Sequence, residues 1–297
     1  MGDILIGTCS WTDPGLVQSG LFYPDWAKSA EDRLRFYSSE FPIVEVDSTY
    51  YSLPSGKTST LWVERTPDKF IFDIKAFRLF TQHPTPLKSL PRNVLDDLTM
   101  DIKEKSMVYY RDIPEEMVDS MWDRYANALL PLDSSMKLGV VLFQFPPWFH
   151  PGDHQREYIE LCKARLPQYK LAVEFRQHSW LNEQNRDHTI DFLKKNDLAF
   201  VCVDEPQGFK SSVPPVSEVT ADIGIIRFHG RNALMWEKKG ITPQERFNYL
   251  YSEEELMEWV PRIRECATKT EQLHLLFNTN FQAQSVQNSR LLGTMLE

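Results

Sequence analysis

Eight short, β-rich apolar runs, most of them separated by segments of helical pattern, limit the folds open to this chain more than any other feature. They lie at 4–11, 43–51, 70–76, 138–146, 171–176, 198–204, 223–230 and 273–278. Most are near-continuously apolar, as parallel strands covered on both faces should be. Helical patterns at 29–41, 55–67, 152–167, 185–196, 252–269 and 284–297 fall between or after them. Ser29 with Asp32 three residues on, and Ser252 with Glu255, read as helix starts. Pro261 inside 252–269 predicts a kink. The alternation predicts an α/β fold, a TIM-like (β/α)8 barrel in one domain over residues 1–297. Two stretches depart from the repeat. Residues 77–137 are too long for one helix and predict a helical insertion between strands 3 and 4. Residues 205–222, rich in Pro and Ser, predict a loop.

The formal net charge of −9 argues against an extended nucleic-acid surface or an anionic-membrane surface, because both need clustered Lys and Arg. Cys9, Cys162, Cys202 and Cys266 form no CxxC pair and read as buried thiols in a reducing compartment. No signal peptide is expected, since the first apolar run has no basic start. No apolar run reaches the roughly 18 residues of a spanning helix, so a cytoplasmic protein is expected. P-loop, GxGxxG, GxSxG and HExxH signatures are absent, and "SGKTST" at 55–60 reads as a helix start.

Against this apolar background, "VEFRQHSW" (173–180) and "IIRFHGR" (225–231) carry charges on alternate residues. In a barrel, side chains alternate between the lumen and the helices. If the apolar half of each strand faces the helices, Glu45, Asp47, Asp73, Lys75, Gln144, Glu174, Arg176, Asp204, Arg227, His229 and Asn278 point inward. Nearly all lie toward the C-terminal ends of their strands, where barrels of this kind keep their sites. Lys75, Arg176, Arg227 and Arg231 are candidates to clamp an anion, with Gln144 and Asn278 beside them. Glu174 or Glu45 is the candidate general base, His229 the proton donor, and Asp204 a further catalytic carboxylate. The competing reading is a set of structural ion pairs without chemistry. Trp11, Tyr50, Tyr51, Trp148, Trp180 and Trp236 all follow strands. Trp11 and Tyr51 are taken as substrate contacts, since such rings can stack on a sugar or a base.

"GTCSW", "FYP", "VEVDSTYYSLPS", "FIFDIKA", "LFQFPPWF", "AVEFRQHSW", "RFHGR" and "LFNTN" occur in an order that resembles the YecE-like family, domain-of-unknown-function family 72. The resemblance spans almost the whole chain and implies a TIM-barrel fold, with no established activity. The positions that match the family pattern are Trp11, Glu45, Tyr51, Lys75, Gln144, Glu174, Arg176, Asp204, Arg227, His229, Gly230, Arg231 and Asn278. Cys9-Ser10-Trp11 departs from it, where a Ser-Gly-Trp variant is common.

The function expected is an enzyme that acts on a small phosphorylated or carboxylated substrate by acid–base chemistry at the barrel mouth. A metal-dependent hydrolase or isomerase is one alternative, with Glu45, Asp47, Glu174, Asp204 and His229 as ligands. The cations in the same ring disfavour a metal. A non-catalytic ligand-binding barrel is the other alternative. A small-molecule ligand is the expected partner, and the sequence names neither a cofactor nor an oligomeric state.

Overall fold

Each of the eight runs forms one strand of a closed, all-parallel barrel. The computed structural model describes residues 2–297. The strands are β1 (Asp3–Cys9), β2 (Ile43–Val46), β3 (Ile71–Lys75), β4 (Leu138–Gln144), β5 (Leu171–Glu174), β6 (Leu198–Asp204), β7 (Ile223–Phe228) and β8 (Gln272–Phe277). They follow one another around the barrel in chain order, and β8 closes onto β1. Their near-continuous apolar character follows from burial: the helix-facing side packs under the outer layer and the lumen is filled with side chains.

The principal helices are α1 (Ala30–Glu40), α2 (Gly56–Glu64), α3 (Glu115–Ser134), α4 (Asp153–Arg165), α5 (Arg186–Lys195), α6 (Val260–Thr268) and α7 (Gln284–Leu296). Ser29 and Asp32 exchange hydrogen bonds as a capping box at the start of α1, and Ser55 caps α2. The kink expected at Pro261 is a full break. A short helix at Glu253–Met257, started by the Ser252–Glu255 box, stops before α6. Pro261 falls in the first turn of α6, where its missing N–H has no helical partner to lose. No helix among the described residues is long and apolar enough to cross a membrane.

The second half of the 77–137 stretch is α3, the crossover helix between β3 and β4. The true addition is the part before it, with short helices at Arg92–Asp97 and Met100–Lys103 and a ribbon pairing Thr85–Pro86 with Met107–Val108. It is anchored where Phe80 stacks on Trp122 of α3, with centroids 3.7 Å apart and planes 10° apart. Between β6 and β7 there is no helix, as expected. Here the Thr220 hydroxyl accepts the Phe200 amide (2.7 Å) and donates to the Leu198 carbonyl (2.6 Å), at the end of β6 that has no β7 partner.

The β3–β4 register shifts between Phe72 and Ile74. Asp73 accepts the Val140 amide there at 3.0 Å. Gly139 lies against the same carboxylate, and a Cβ on it would stand 2.2 Å from Asp73 Oδ1. Only glycine fits this approach.

Ser10, the point of departure from the family pattern, has φ 115°. L-residues with a side chain rarely adopt this conformation, which accounts for the glycine common there. Ser10→Gly is expected to raise the unfolding free energy by about 1 kcal/mol, the strain relieved less the added chain entropy, as measured by denaturant titration.

Candidate functional site

Registry fixes which side chains share the lumen. Cys9 pairs with Glu45 and Glu45 with Asp73; Gln144 pairs with Glu174, and Val203 with Arg227. Residues in register on neighbouring strands point to the same side. Glu45, Asp73, Lys75, Gln144, Glu174 and Arg227 therefore all face inward, as the alternation predicts. Arg176, His229 and Asn278, just past the ends of β5, β7 and β8, continue that face at the mouth.

Asp204 does not join them. It is in register with Phe228, which packs outward against Tyr251, Trp259 and Phe277. Its carboxylate accepts from Tyr251 Oη (2.7 Å), Trp259 Nε1 (2.6 Å) and Arg231 Nη2 (2.7 Å). Arg231 also pairs with Glu258 at 2.9 Å, and so it is held away from the lumen rather than serving as an anion clamp there. Both faces of β6 are apolar, so the assumption that the apolar half faces the helices selects no parity on this strand. The inward residue is the next one, Glu205, which the sequence reading missed. Trp11 is likewise a packing residue, set edge-on to Trp62 (5.8 Å) and Phe72 (6.4 Å). Trp180 is buried between Phe149 and Phe175.

Glu174 is the hub of the lumen. Its Oε1 accepts from Gln144 Nε2 (2.7 Å) and His229 Nε2 (3.1 Å) and forms an ion pair with Arg176 Nε (3.0 Å), while Oε2 accepts from Arg227 Nη1. Arg227 also donates to Glu45 at 2.7 Å and approaches the Cys9 sulfur at 3.7 Å. Burial alone would raise the pKa of Glu174, but Arg227, His229 and Arg176 outweigh it and hold the carboxyl well below its usual range. A carboxylate so saturated with donors is a poor proton acceptor.

His229 gives Nε2–H to Glu174, and its Nδ1 accepts from Asn278 Nδ2 at 3.1 Å. Burial and the neighbouring Arg176 push its pKa down to about 3, so the ring is neutral near pH 7.

Two carboxyls do titrate near neutrality. Burial raises Glu205 to about 7 despite its ion pair with Arg176, and its other oxygen accepts the Val213 amide at 2.7 Å. Burial raises Asp47, on the rim after β2, to about 6, opposed by Lys75. Lys75 is partly exposed, with its ammonium 4.9 Å from the centre of the Tyr50 ring. Tyr51 is exposed beside Tyr50.

Above the hub lies a cleft of about 540 Å³, lined by His83, Gln144, Trp148, Arg176, Trp236, Lys239, Arg246 and Phe247, among others. The Arg176 guanidinium lies 5.0 Å from the Trp236 ring centre. Deeper down, His274 Nδ1 meets Asp73 at 2.9 Å. The sequence reading passed over His274, although it has the same parity as Asn278 on β8. Among the described residues, no group of three His, Cys, Asp or Glu side chains converges to hold a metal ion. Arginines stand between Glu45, Glu174 and Glu205, and Asp204 faces the other way.

Fold and site together define a (β/α)8-barrel protein with a charged bowl at its C-terminal mouth. The chain belongs to the family described as "Protein of unknown function DUF72", which it matches over residues 5–297. It is 30% identical to the UPF0759 protein YunF of Bacillus subtilis, covering 99% of this chain and 95% of that one. Its fold is similar to that of a DUF72 family protein from Thermotoga maritima, with 28% identity, a TM-score of 0.77 and 99% of both chains covered. A DUF72 family protein from Enterococcus faecalis superimposes with a TM-score of 0.75 at 22% identity, covering 100% of this chain and 98% of that one.

Glu174→Gln would leave the buried Arg227 with Glu45 as its one ion-pair partner. It is expected to cost about 3–5 kcal/mol in urea unfolding at pH 7.

Proposed function

We propose that the barrel mouth is the active site of an enzyme acting on a small anionic substrate, phosphorylated or carboxylated, by acid–base chemistry. The observation that carries this reading is Arg176. Its Nε is committed to Glu174 and its Nη1 to Glu205. Among the described residues Nη2 has no hydrogen-bond partner, and the residue lines the cleft. One guanidinium edge is thus held rigid while another faces the ligand, as anion recognition requires. Trp148, Trp236 and Phe247 supply apolar walls for the rest of the molecule.

In this reading Glu174, Glu45, Arg227, His229 and Asn278 are positioning residues, and Gln144 and Arg176 contact the substrate. Proton transfer passes to Asp47 and Glu205, whose carboxyls titrate close to neutral pH. The four buried free thiols support the cytoplasmic assignment, which belongs to the same proposal.

Sulfate, which keeps its charge across the neutral range, is a suitable probe. Arg176→Gln should weaken its binding at least about tenfold in calorimetry at fixed ionic strength. Sulfate affinity should also rise as the pH falls through about 7, because protonated Glu205 no longer competes for Arg176. Glu205→Gln should bind tightly throughout and lose this dependence. Unchanged affinity in Arg176→Gln would overturn the reading. Turnover of a panel of phosphorylated and carboxylated compounds then separates an enzyme from a ligand-binding barrel.

A further inference from the structure

The cations in and around the lumen differ in one respect. Arg227 engages Glu45 and Glu174, and Arg176 engages Glu174 and Glu205. Lys137, at the other end of β4, donates to the Val63 and Thr66 carbonyls and to the Thr66 hydroxyl. Lys75 has, within the described residues, no carboxylate within 4.0 Å and no hydrogen bond from its amine; Arg78, over the same Tyr50 ring, is also without a carboxylate, but its guanidinium is not a nucleophile. Its backbone is nonetheless held firmly. The Lys75 carbonyl accepts from the Thr49 hydroxyl at 2.6 Å and from Tyr125 Oη at 3.3 Å. The result is a partly exposed amine on a rigid strand end, at a lumen-facing register position, with a free head.

We propose that Lys75 is a nucleophile that forms an iminium ion with a small carbonyl compound bearing an anionic group, such as a 2-oxo acid, with Asp47 as the proton carrier. The inference rests on the anion-binding reading above and names its substrate class. The charges that face Lys75 are Arg227 from β7, Glu45 and Asp47 from β2 and its end, and Glu174 from β5. Its own charge is felt by His83, after β3, together with those of Arg78 and Arg176. Burial first, and Arg227 second, lower the proton affinity of the amine, which favours the neutral, nucleophilic form.

The step balances as follows. The Lys75 Nζ lone pair attacks the carbonyl carbon and a C–N bond forms. The carbonyl π pair moves to oxygen, which takes a proton from the Asp47 carboxyl. The nitrogen loses one proton to the Asp47 carboxylate. Protonation of the hydroxyl then expels water as the nitrogen lone pair closes the C=N bond. Amine, carbonyl and one proton become iminium and water, and no oxidant or reductant is consumed.

Borohydride trapping with pyruvate tests this directly, since hydride reduces the iminium to a stable secondary amine. The expected result is one adduct per chain on Lys75, located by peptide mass mapping. Its mass increase equals that of pyruvic acid less one oxygen. Lys75→Arg, which keeps the charge, and Lys75→Met should remain folded and lose the adduct. Asp47→Asn should slow trapping by about a hundredfold. Sulfate calorimetry on the same preparation keeps the two proposals distinct. Sulfate binding without a Lys75 adduct overturns the iminium proposal and leaves the anion site standing. Loss of both overturns both. Adducts spread over surface lysines, unchanged in Lys75→Arg, also overturn it.

Discussion

The ionic chain Glu45–Arg227–Glu174 is the interaction on which the rest of the structure depends. It crosses the barrel interior and joins β2, β7 and β5, with Gln144 adding β4. Burying a guanidinium and two carboxylates in an apolar cylinder costs several kcal/mol per ion, offset by their mutual pairing, although among the described residues Glu45 Oε2 and Arg227 Nε have no hydrogen-bond partner. Here Glu174 accepts from Gln144, His229 and Arg227 and is ion-paired with Arg176, which fixes its position and favours its charged form. A lumen that must hold charges to fill its centre thus has a fixed electrostatic floor, with Asp47 and the buried Glu205 around it raised toward neutrality.

That floor organises the mouth. Arg176 bridges the fixed Glu174 and the titrating Glu205, and its guanidinium lies over Trp236. Glu205 can stand there because the β6–β7 connection is an irregular loop that turns its Val213 amide onto the carboxyl. A standard crossover helix would not supply that amide at that point. On the opposite side, the insertion after β3 brings His83 against Tyr50 and Trp148, at 5.4 and 5.8 Å, and raises one wall of the cleft. The two departures from the regular repeat thus add His83 and Ser211 to the cleft, while the loop after β7 supplies Trp236, Lys239, Arg246 and Phe247.

Much of this was legible in the sequence for local reasons. A strand buried on both faces reads as an apolar run, and a helix start reads as a capping serine followed by an acidic residue. Where an inward face carries charge, as in Glu174/Arg176 and Arg227/His229, alternation identifies it. On β6 every residue before Asp204 is apolar, so alternation has nothing to grip, and the inward residue turned out to be Glu205. His274 was visible by parity with Asn278 but sits deep in β8 among leucines, away from the mouth where polar residues were sought. Arg231 and Trp11 share the parity of the inward Arg227 and Cys9, but both lie beyond the strand ends, after the positive-φ residues Gly230 and Ser10, where alternation no longer holds.

The sequence by itself determined the parallel barrel, its helix starts and most of its polar lumen, because periodicity and capping act over a few residues. Only the tertiary structure decided which charges meet and which group is left alone. Glu45 and Arg227 are 182 residues apart, and no local pattern records that they are bonded. Protonation follows from such long-range contacts, since burial and neighbouring charge set each pKa. That is why burial and neighbouring charge move Glu174 and His229 down and Glu205 and Asp47 up, differences that residue type alone does not show.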